Sequence, residues 1–261
     1  MSSKIALVTG AGRGIGKAIA LALAREGVDT VVNARGLAAI EATAAEIEAL
    51  GQKSMAIQCD VADYVAVKKM VGRVVAKWGG IDILVNNAGV GTTKMWQDLE
   101  KADWDRVINV NLGSVLNCTK AVIETMKKRG GGCIINIASM AGKTISDMAG
   151  PDYTASKAGI IGFTRQLAFE LGHDNIRVNA ICPGTVKTSL TEMTPEIEEK
   201  LIRATPLGKL VKPEEVANVV TFLASDKAMM ITGSTIDIDG GQRLSFLDWE
   251  TYVRIRKGGK V

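Results

Sequence analysis

A tyrosine and a lysine four residues apart are the residues of this sequence best suited to acid–base chemistry. On a helix, Tyr153 and Lys157 would lie on one face, one turn apart. A free phenol has a pKa of about 10 and a neighbouring ammonium favours the phenolate, so we predict that Lys157 lowers the pKa of Tyr153. Ser139 lies a short distance upstream. The alternative is a surface pair on an amphipathic helix. The pair is a catalytic candidate only if the rest of the chain also supplies a hydride carrier and a group that binds a carbonyl.

A glycine-rich turn near the amino terminus is a candidate site for the phosphates of such a carrier. Residues 4–9 are apolar and predict a short buried strand, and a helix with an apolar face follows the turn. Gly10, Gly14 and Gly16 fit the pattern TGxxxGxG, whereas Ile15 stands where GxGxxG needs its third glycine. A strand, a glycine turn and a helix place backbone N–H groups around a pyrophosphate. A tight turn without a ligand is the alternative.

Strands alternate with helices along the whole chain. This order predicts parallel βαβ units and an α/β fold with a doubly wound sheet, in which ligands bind at the carboxyl ends of the strands. We find no linker or repeat and predict a single domain over residues 1–261. The predicted strands are 4–9, 29–34, 53–59, 81–85, 133–138, 177–181 and 235–238, and the predicted helices are 37–50, 63–78, 102–128, 153–171 and 213–224.

Composition excludes several other classes of protein. The net charge of +4 is mild and aromatic residues make up 4%, so we expect no nucleic-acid partner. One histidine and four cysteines without a CxxC motif predict no metal site. No apolar run reaches about 18 residues and no signal peptide is evident, so we expect no membrane contact, reduced thiols and a cytoplasmic location.

Taken together, the motifs resemble those of the short-chain dehydrogenase/reductase family, in its single-domain branch. The resemblance runs from Thr9 to about Gly241, and the interval from Ser139 to Tyr153 is slightly long, which leaves the shape of the loop at 146–151 open. In the order of the family, the matching motifs are the glycine turn, Asp60-Val61, Asn86-Asn87-Ala88-Gly89, Asn111, Ser139, Tyr153 with Lys157, and Pro183-Gly184.

The resemblance implies a Rossmann fold of about seven strands and a role for each catalytic residue. Tyr153 would exchange a proton with the carbonyl or alcohol oxygen, and Ser139 would hydrogen-bond the same oxygen. Lys157 would also bind the nicotinamide ribose, and Asn111 would hold a water in a proton relay. Alternatively, Asn111 caps or kinks its helix, and Ser139 is a turn residue. The implied cofactor-binding residues are Gly10, Arg13, Gly14, Ile15, Gly16, Arg35, Asp60, Val61, Asn87, Ala88, Gly89, Tyr153, Lys157, Pro183, Gly184, Val186 and Thr188.

Two arginines favour NADP(H) over NAD(H). NAD-binding relatives have an aspartate at the end of the second strand, which binds the ribose 2′-hydroxyl and repels a 2′-phosphate. Arg35 stands at that position here, and Arg13 in the glycine turn can face the same phosphate. Alternatively, Arg13 is a plain turn residue and Arg35 stacks on adenine.

The substrate pocket is the least defined part of the sequence. Residues 185–210 predict a lid, with an amphipathic pattern formed by Glu192, Met193, Ile197 and Leu201. An apolar pocket is predicted from Val90, Met140, Ile145 and Met148. Lys94 and Lys143 are candidates for binding an anionic group, although simple solvation is the alternative.

The tail at 242–261 contains Phe246 and Trp249 and ends in a basic run. Its aromatic part is a candidate contact with a neighbouring subunit, whereas fraying is the alternative for the last six residues. The family forms tetramers through its long helices and last strand, so the resemblance implies a homo-oligomer, most simply a homotetramer.

The leading functional hypothesis is an NADP(H)-dependent carbonyl reductase or alcohol dehydrogenase that acts on a small-molecule carbonyl or alcohol. A second hypothesis is the reduction of a 3-oxoacyl thioester. A third is a nucleotide sensor without catalytic activity, which the presence of both Tyr153 and Lys157 disfavours.

Overall fold

Seven parallel strands form the centre of the structure, a computed structural model that describes residues 3–188, 193–244 and 247–257. The strand order is β3-β2-β1-β4-β5-β6-β7, and every pairing is parallel. This confirms the predicted α/β Rossmann fold. The strands are β1 (Ile5–Thr9), β2 (Asp29–Ala34), β3 (Ser54–Gln58), β4 (Ile83–Asn86), β5 (Gly132–Ile137), β6 (Ile176–Pro183) and β7 (Thr235–Ile238).

Helices cover both faces of the sheet. Within the described ranges they are α1 (Gly14–Arg25), α2 (Leu37–Ala49), α3 (Tyr64–Trp78), α4 (Lys101–Ile108), α5 (Ser114–Lys128), α6 (Pro151–Leu171), α7 (Pro195–Ala204), α8 (Pro213–Ala224) and α9 (Trp249–Arg256). None of these helices combines the length and the apolar character that crossing a bilayer requires.

Alternate side chains of the strands pack into two separate hydrophobic cores, one on each face of the sheet. In β1, Ala6 and Val8 pack with α1, α2 and α8, whereas Ile5 and Leu7 pack with α3, α5 and α6. Period-two alternation in a strand buried on both faces produces this division. The chain crosses from β3 to β4 on the other side of β1, so the topological switch point lies between β1 and β4.

The predicted elements are present, with ends that coincide or are shifted by at most two residues. The main difference is the helix predicted over 102–128, which is divided into α4, a π-helical turn at Asn109–Gly113, and α5. Hydrophobic periodicity continues through such a turn, because one extra residue does not interrupt the apolar face. The sequence therefore predicted the helix but not its interruption.

Two helices, α7 and α9, were not predicted. Thr194 accepts a hydrogen bond from the Ile197 N–H and Pro195 occupies the first turn of α7, which is a recognisable start signal. The Asp248 carboxyl group caps α9 through the Thr251 N–H at 2.8 Å. Helix α7 lies in the predicted lid. Glu192 of the lid and Phe246 of the tail lie outside the described residues.

Candidate active site

The structure brings Ser139, Tyr153 and Lys157 together at the carboxyl end of β5. Ser139 follows β5 and caps a short 3-10 turn by accepting the Ala141 N–H at 3.1 Å. Tyr153 lies in the first turn of α6, and Lys157 follows one turn later. The Lys157 Nζ lies 5.4 Å from the centroid of the Tyr153 ring and donates a hydrogen bond to the Ile137 carbonyl at 2.8 Å. The predicted constellation is therefore assembled from one strand end and one helix.

Burial controls the proton affinities of these groups. Burial raises the pKa of Tyr153, and a side-chain hydrogen bond with Ser139 partly opposes that rise. Burial lowers the pKa of Lys157 to about 8. The prediction that Lys157 brings the pKa of Tyr153 below its ordinary value is therefore wrong for this structure. The physical reason is that loss of water around the phenol outweighs the charge interactions that the spacing suggested.

Asn111 lies in the π-helical turn, and its side chain is completely buried. Its Oδ1 accepts the Val90 N–H at 2.8 Å, while its Nδ2 donates to the Val90 carbonyl and to Ser156 Oγ, both at 2.9 Å. Asn111 therefore joins the loop after β4 to α6, and does so without capping a helix end. A Cβ on Gly89 would lie 3.3 Å from Asn111 Oδ1 and 3.7 Å from Lys157 Nζ, so glycine keeps these groups close.

The glycine turn has a shape that only glycine provides. Gly10 and Gly14 have φ values of +66° and +54°, and a Cβ on Gly16 would lie 2.3 Å from the Gly10 carbonyl oxygen. Arg13 precedes α1 and makes no side-chain cap, so the first turn of this 12-residue helix presents uncapped N–H groups. This cradle fits the pyrophosphate of a dinucleotide, because backbone N–H groups at a helix N-terminus bind phosphate oxygens.

Thr9 and Asn87 join the glycine turn to the loop after β4. Asn87 Nδ2 donates to the carbonyls of Thr9 and Gly10 at 2.9 and 3.3 Å. Thr9 Oγ1 accepts the N–H groups of Asn87 and Ala88 at 3.0 and 3.1 Å, and donates to the Val85 carbonyl at 3.3 Å. The sequence singled out Asn87 but not the role of Thr9. Its hydroxyl directly before the first glycine of the turn was the available signal.

The predicted nucleotide-binding residues outside the turn also follow strand ends. Arg35 comes directly after β2, and Arg13 and Arg35 are both exposed. Among the described residues, neither guanidinium forms an ion pair. Asp60 and Val61 follow β3, where Asp60 Oδ1 accepts the Ala62 N–H at 3.0 Å.

The end of β6 leads into the base of the predicted lid. Pro183 is the last residue of β6, and the Gly184 N–H donates to the Ile238 carbonyl at 2.8 Å. Val186 forms an isolated parallel bridge with Val211. Thr188 reaches back to the glycine turn, because a Cβ on Gly14 would lie 3.6 Å from Thr188 Cγ2. The structure therefore places the predicted cofactor contacts after β6 next to the glycine turn.

The two lysines considered as anion-binding groups are both paired with carboxylates. Lys94 Nζ lies 2.6 Å from Asp103 Oδ2, and the hydrogen bond between them raises the pKa of Lys94. Lys143 pairs with Asp237, which also pairs with Arg243. Each ammonium already has a carboxylate partner, so neither lysine is left with an uncompensated charge for an anionic substrate group. Among the predicted pocket residues, Ile145 is 76% exposed, so it does not line an enclosed pocket.

The sequence and the fold have close counterparts among known proteins. A family model described as "Enoyl-(Acyl carrier protein) reductase" matches residues 10–243. A crystal structure from Sinorhizobium meliloti 1021, provisionally described as a short-chain alcohol dehydrogenase, is 38% identical in sequence. It aligns with a TM-score of 0.89 over 94% of this chain and 98% of its own. The chain belongs to the short-chain dehydrogenase/reductase family.

Several curated relatives carry the name 3-oxoacyl-(acyl-carrier-protein) reductase. The protein of that name from Staphylococcus aureus (strain Mu50) is 42% identical over 92% of this chain and 98% of its own length. The Thermotoga maritima protein is 42% identical with the same coverage. The Synechocystis protein is 43% identical over 92% of this chain and 97% of its own. The family model ends at residue 243, before α9.

We predict that Gly16→Ala weakens the binding of a nicotinamide dinucleotide by at least about tenfold, or about 1.4 kcal/mol. The added methyl group would collide with the Gly10 carbonyl and move the turn away from the phosphates. Cofactor fluorescence titration measures the effect. Gly72→Ala is the matched control, since Gly72 lies inside α3 with nothing within 4 Å of its added Cβ. Equal affinity of both variants would contradict the assigned cradle.

Proposed function

We propose that the protein interconverts a carbonyl group and a secondary alcohol with NADP(H), using Tyr153 as the general acid and base. The observation that carries this proposal is the meeting of Ser139, Tyr153 and Lys157 at the same sheet edge as the glycine turn. Bound nicotinamide supplies or accepts the hydride. The chain's own residues must then orient the oxygen and move one proton.

In the direction of reduction, the phenol of Tyr153 donates its proton to the carbonyl oxygen. A phenol whose pKa is raised by desolvation holds its proton at neutral pH, which suits this acid role. The Ser139 hydroxyl donates a hydrogen bond to the same oxygen and stabilises the developing charge. The Lys157 ammonium would stabilise the phenolate that remains and would hydrogen-bond the nicotinamide ribose when a cofactor is bound. We keep Asn111 as a relay residue, in addition to its hold on Val90.

The proposed cofactor site follows the sheet edge from the glycine turn to the lid. The turn would hold the pyrophosphate, the loop after β4 would hold the ribose, and the segment after β6 would hold the nicotinamide. The residues assigned to it are Gly10, Arg13, Gly14, Ile15, Gly16, Arg35, Asp60, Val61, Asn87, Ala88, Gly89, Tyr153, Lys157, Pro183, Gly184, Val186 and Thr188.

Two free guanidinium groups support NADP(H) as the preferred cofactor. Arg13 and Arg35 are exposed near the end of β2, where no aspartate is present to bind a 2′-hydroxyl. A 2′-phosphate would accept charge-assisted hydrogen bonds from both side chains.

The names of the relatives support 3-oxoacyl thioesters as the first substrate class to test. A simple ketone or secondary alcohol is the second candidate, supported by the description of the Sinorhizobium structure. A nucleotide sensor without catalytic activity has less support, because the complete proton-transfer set is present. The four free thiols support a reducing compartment, and we propose the cytoplasm.

We also propose that the protein assembles as a homo-oligomer, with a tetramer as the simplest form. An apolar groove of about 840 Å³ runs over α4, the π-helical turn, α5 and α6. It is lined by Leu112, Leu116, Gly159, Gly162 and Phe163, among others. Leu116 is 50% exposed, so a second copy that packs here would bury it.

Tyr153→Phe should lower kcat by about 10²–10⁴-fold without unfolding the protein, because only the transferable proton is lost. Absorbance of the nicotinamide at 340 nm, followed with a panel of 3-oxoacyl thioesters, ketones and alcohols, measures the change. Circular dichroism and cofactor titration confirm that the variant is folded and binds. Full activity of the variant would disprove the acid–base assignment, and cofactor binding without any turnover by the wild type would favour a sensor.

Arg35→Asp should raise the KM for NADPH by about 10–100-fold, the equivalent of one charge-assisted contact of about 1.5–3 kcal/mol. The KM for NADH should change less or fall, because a carboxylate can accept the ribose 2′-hydroxyl. Initial rates at low cofactor concentration test both. Arg25→Asp is the control, because it makes the same charge change at an exposed residue at the far end of α1. It should change neither the KM for NADPH nor the KM for NADH. A wild type that prefers NADH would refute the proposed selectivity.

Leu116→Glu should convert the oligomer to a smaller species, because a carboxylate would be buried in the groove without a partner. Multi-angle light scattering measures the mass. Leu50→Glu is the control, since Leu50 is 42% exposed at the end of α2, away from the groove. A monomeric wild type, or an unchanged mass for Leu116→Glu, would rule out this interface.

A further inference from the structure

The loop at residues 89–94, between β4 and α4, passes directly along the catalytic tyrosine. We call it the β4 loop. Asn111 anchors its first half by bonding both the N–H and the carbonyl of Val90. A Cβ on Gly91 would lie 3.3 Å from Tyr153 Cδ2, so the backbone of the loop forms a wall against the phenol ring.

A second anchor holds the other half of the β4 loop. Thr92 Oγ1 lies 2.9 and 3.1 Å from the two carboxyl oxygens of Asp152, and donates its single proton to them. The Gly150 N–H donates to the Thr92 carbonyl at 2.8 Å. The side chain of Asp152 is completely buried, and Thr92 is 8% exposed. The anchor is therefore shielded from water.

Asp152 is an unusual residue to bury at this position. It directly precedes Tyr153 in α6, and its Oδ1 also accepts the Tyr153 N–H at 2.8 Å. Within the described part of the chain, no cation pairs with it. A buried carboxyl group is costly unless its oxygens are hydrogen-bonded, and here the donors are Thr92 and the first turn of a 21-residue helix. The anchor thus depends on the Thr92 hydroxyl.

We propose that Asp152 is a positioning residue that acts through Thr92, locking the β4 loop against the Tyr153 ring so that the phenol faces the reacting oxygen. The two anchors lie on either side of Gly91, which is the point of contact with the ring. Neither Thr92 nor Asp152 touches the substrate in this role. The inference rests on the proposed function, since positioning matters only if Tyr153 transfers a proton.

Thr92→Val removes the hydroxyl and keeps the shape of the side chain. We expect kcat to fall by about 10–100-fold, because misplacement of a catalytic group by about 1 Å has costs of this size. The dissociation constant of NADPH should stay within about twofold. Thr92→Ser keeps the donor and should restore most of the activity. Thr93→Val, at the exposed neighbouring residue, is the control and should behave as the wild type.

A double-mutant cycle distinguishes the loss of the specific hydrogen bond between Thr92 and Asp152 from a general loosening of the β4 loop. Asp152→Ala, which removes both acceptor oxygens, should lower kcat in the same way, and the double variant Thr92→Val/Asp152→Ala should be little worse than either single variant. Additive losses, a Thr92→Ser variant as impaired as Thr92→Val, or a kcat of Thr92→Val within about twofold of the wild type would each overturn the inference.

A measurement without substrate distinguishes failure of this inference from failure of the proposed function. The difference between the ultraviolet titrations of the wild type and Tyr153→Phe isolates the Tyr153 phenol from the other two tyrosines. In the Thr92→Val background the pKa of Tyr153 should fall, because burial is what raises it. An unchanged pKa would overturn the inference. A wild type that binds NADPH but turns over no substrate would overturn the proposed function, independently of the Tyr153 pKa measured in the Thr92→Val variant.

Discussion

The hydrogen bond from the buried Lys157 ammonium to the Ile137 carbonyl is the interaction on which the site depends. It joins α6 to the end of β5, so that Tyr153, one turn earlier on the helix, lies beside Ser139, two residues beyond the strand. Burial of this cation costs solvation, and this lowers the pKa of Lys157 to about 8. In the proposed function, this ammonium would stabilise the phenolate of Tyr153, whose ring centroid lies 5.4 Å from the Lys157 Nζ.

A second constraint lies at the topological switch point between β1 and β4. Thr9 and Asn87 exchange hydrogen bonds there, which fixes the glycine turn against the loop that continues to Tyr153. Since strands β1, β4 and β5 follow one another in the sheet, the glycine turn, Ser139 and Tyr153 lie at one edge. In the proposed reaction, the cofactor and the Tyr153 phenol would therefore meet the substrate at the same edge of the sheet.

Particular elements show where sequence patterns succeed and where they fail. The strand at Asp29–Ala34 and the helix at Pro213–Ala224 were predicted with their observed ends, because β-branched residues between two glycines mark the strand and a proline marks the start of the helix. The π-helical turn at Asn109–Gly113 was not predicted, since its extra residue leaves the apolar face intact. The direction of the Tyr153 pKa was also missed, because spacing reports which charges are near but not how much water is lost.

The sequence by itself determined the parallel α/β fold, the family and the residue types of the site. These follow from local order: apolar strands, helices between them, glycines where positive φ is needed, and motifs in a fixed sequence. Only the tertiary structure decided the pairings of Lys94 and Lys143 with carboxylates and the burial of Asp152 against Thr92. The two residues of each pair lie 9, 94 and 60 positions apart. Hydrogen bonds and ion pairs of this kind depend on distances across the folded chain, which no local pattern contains.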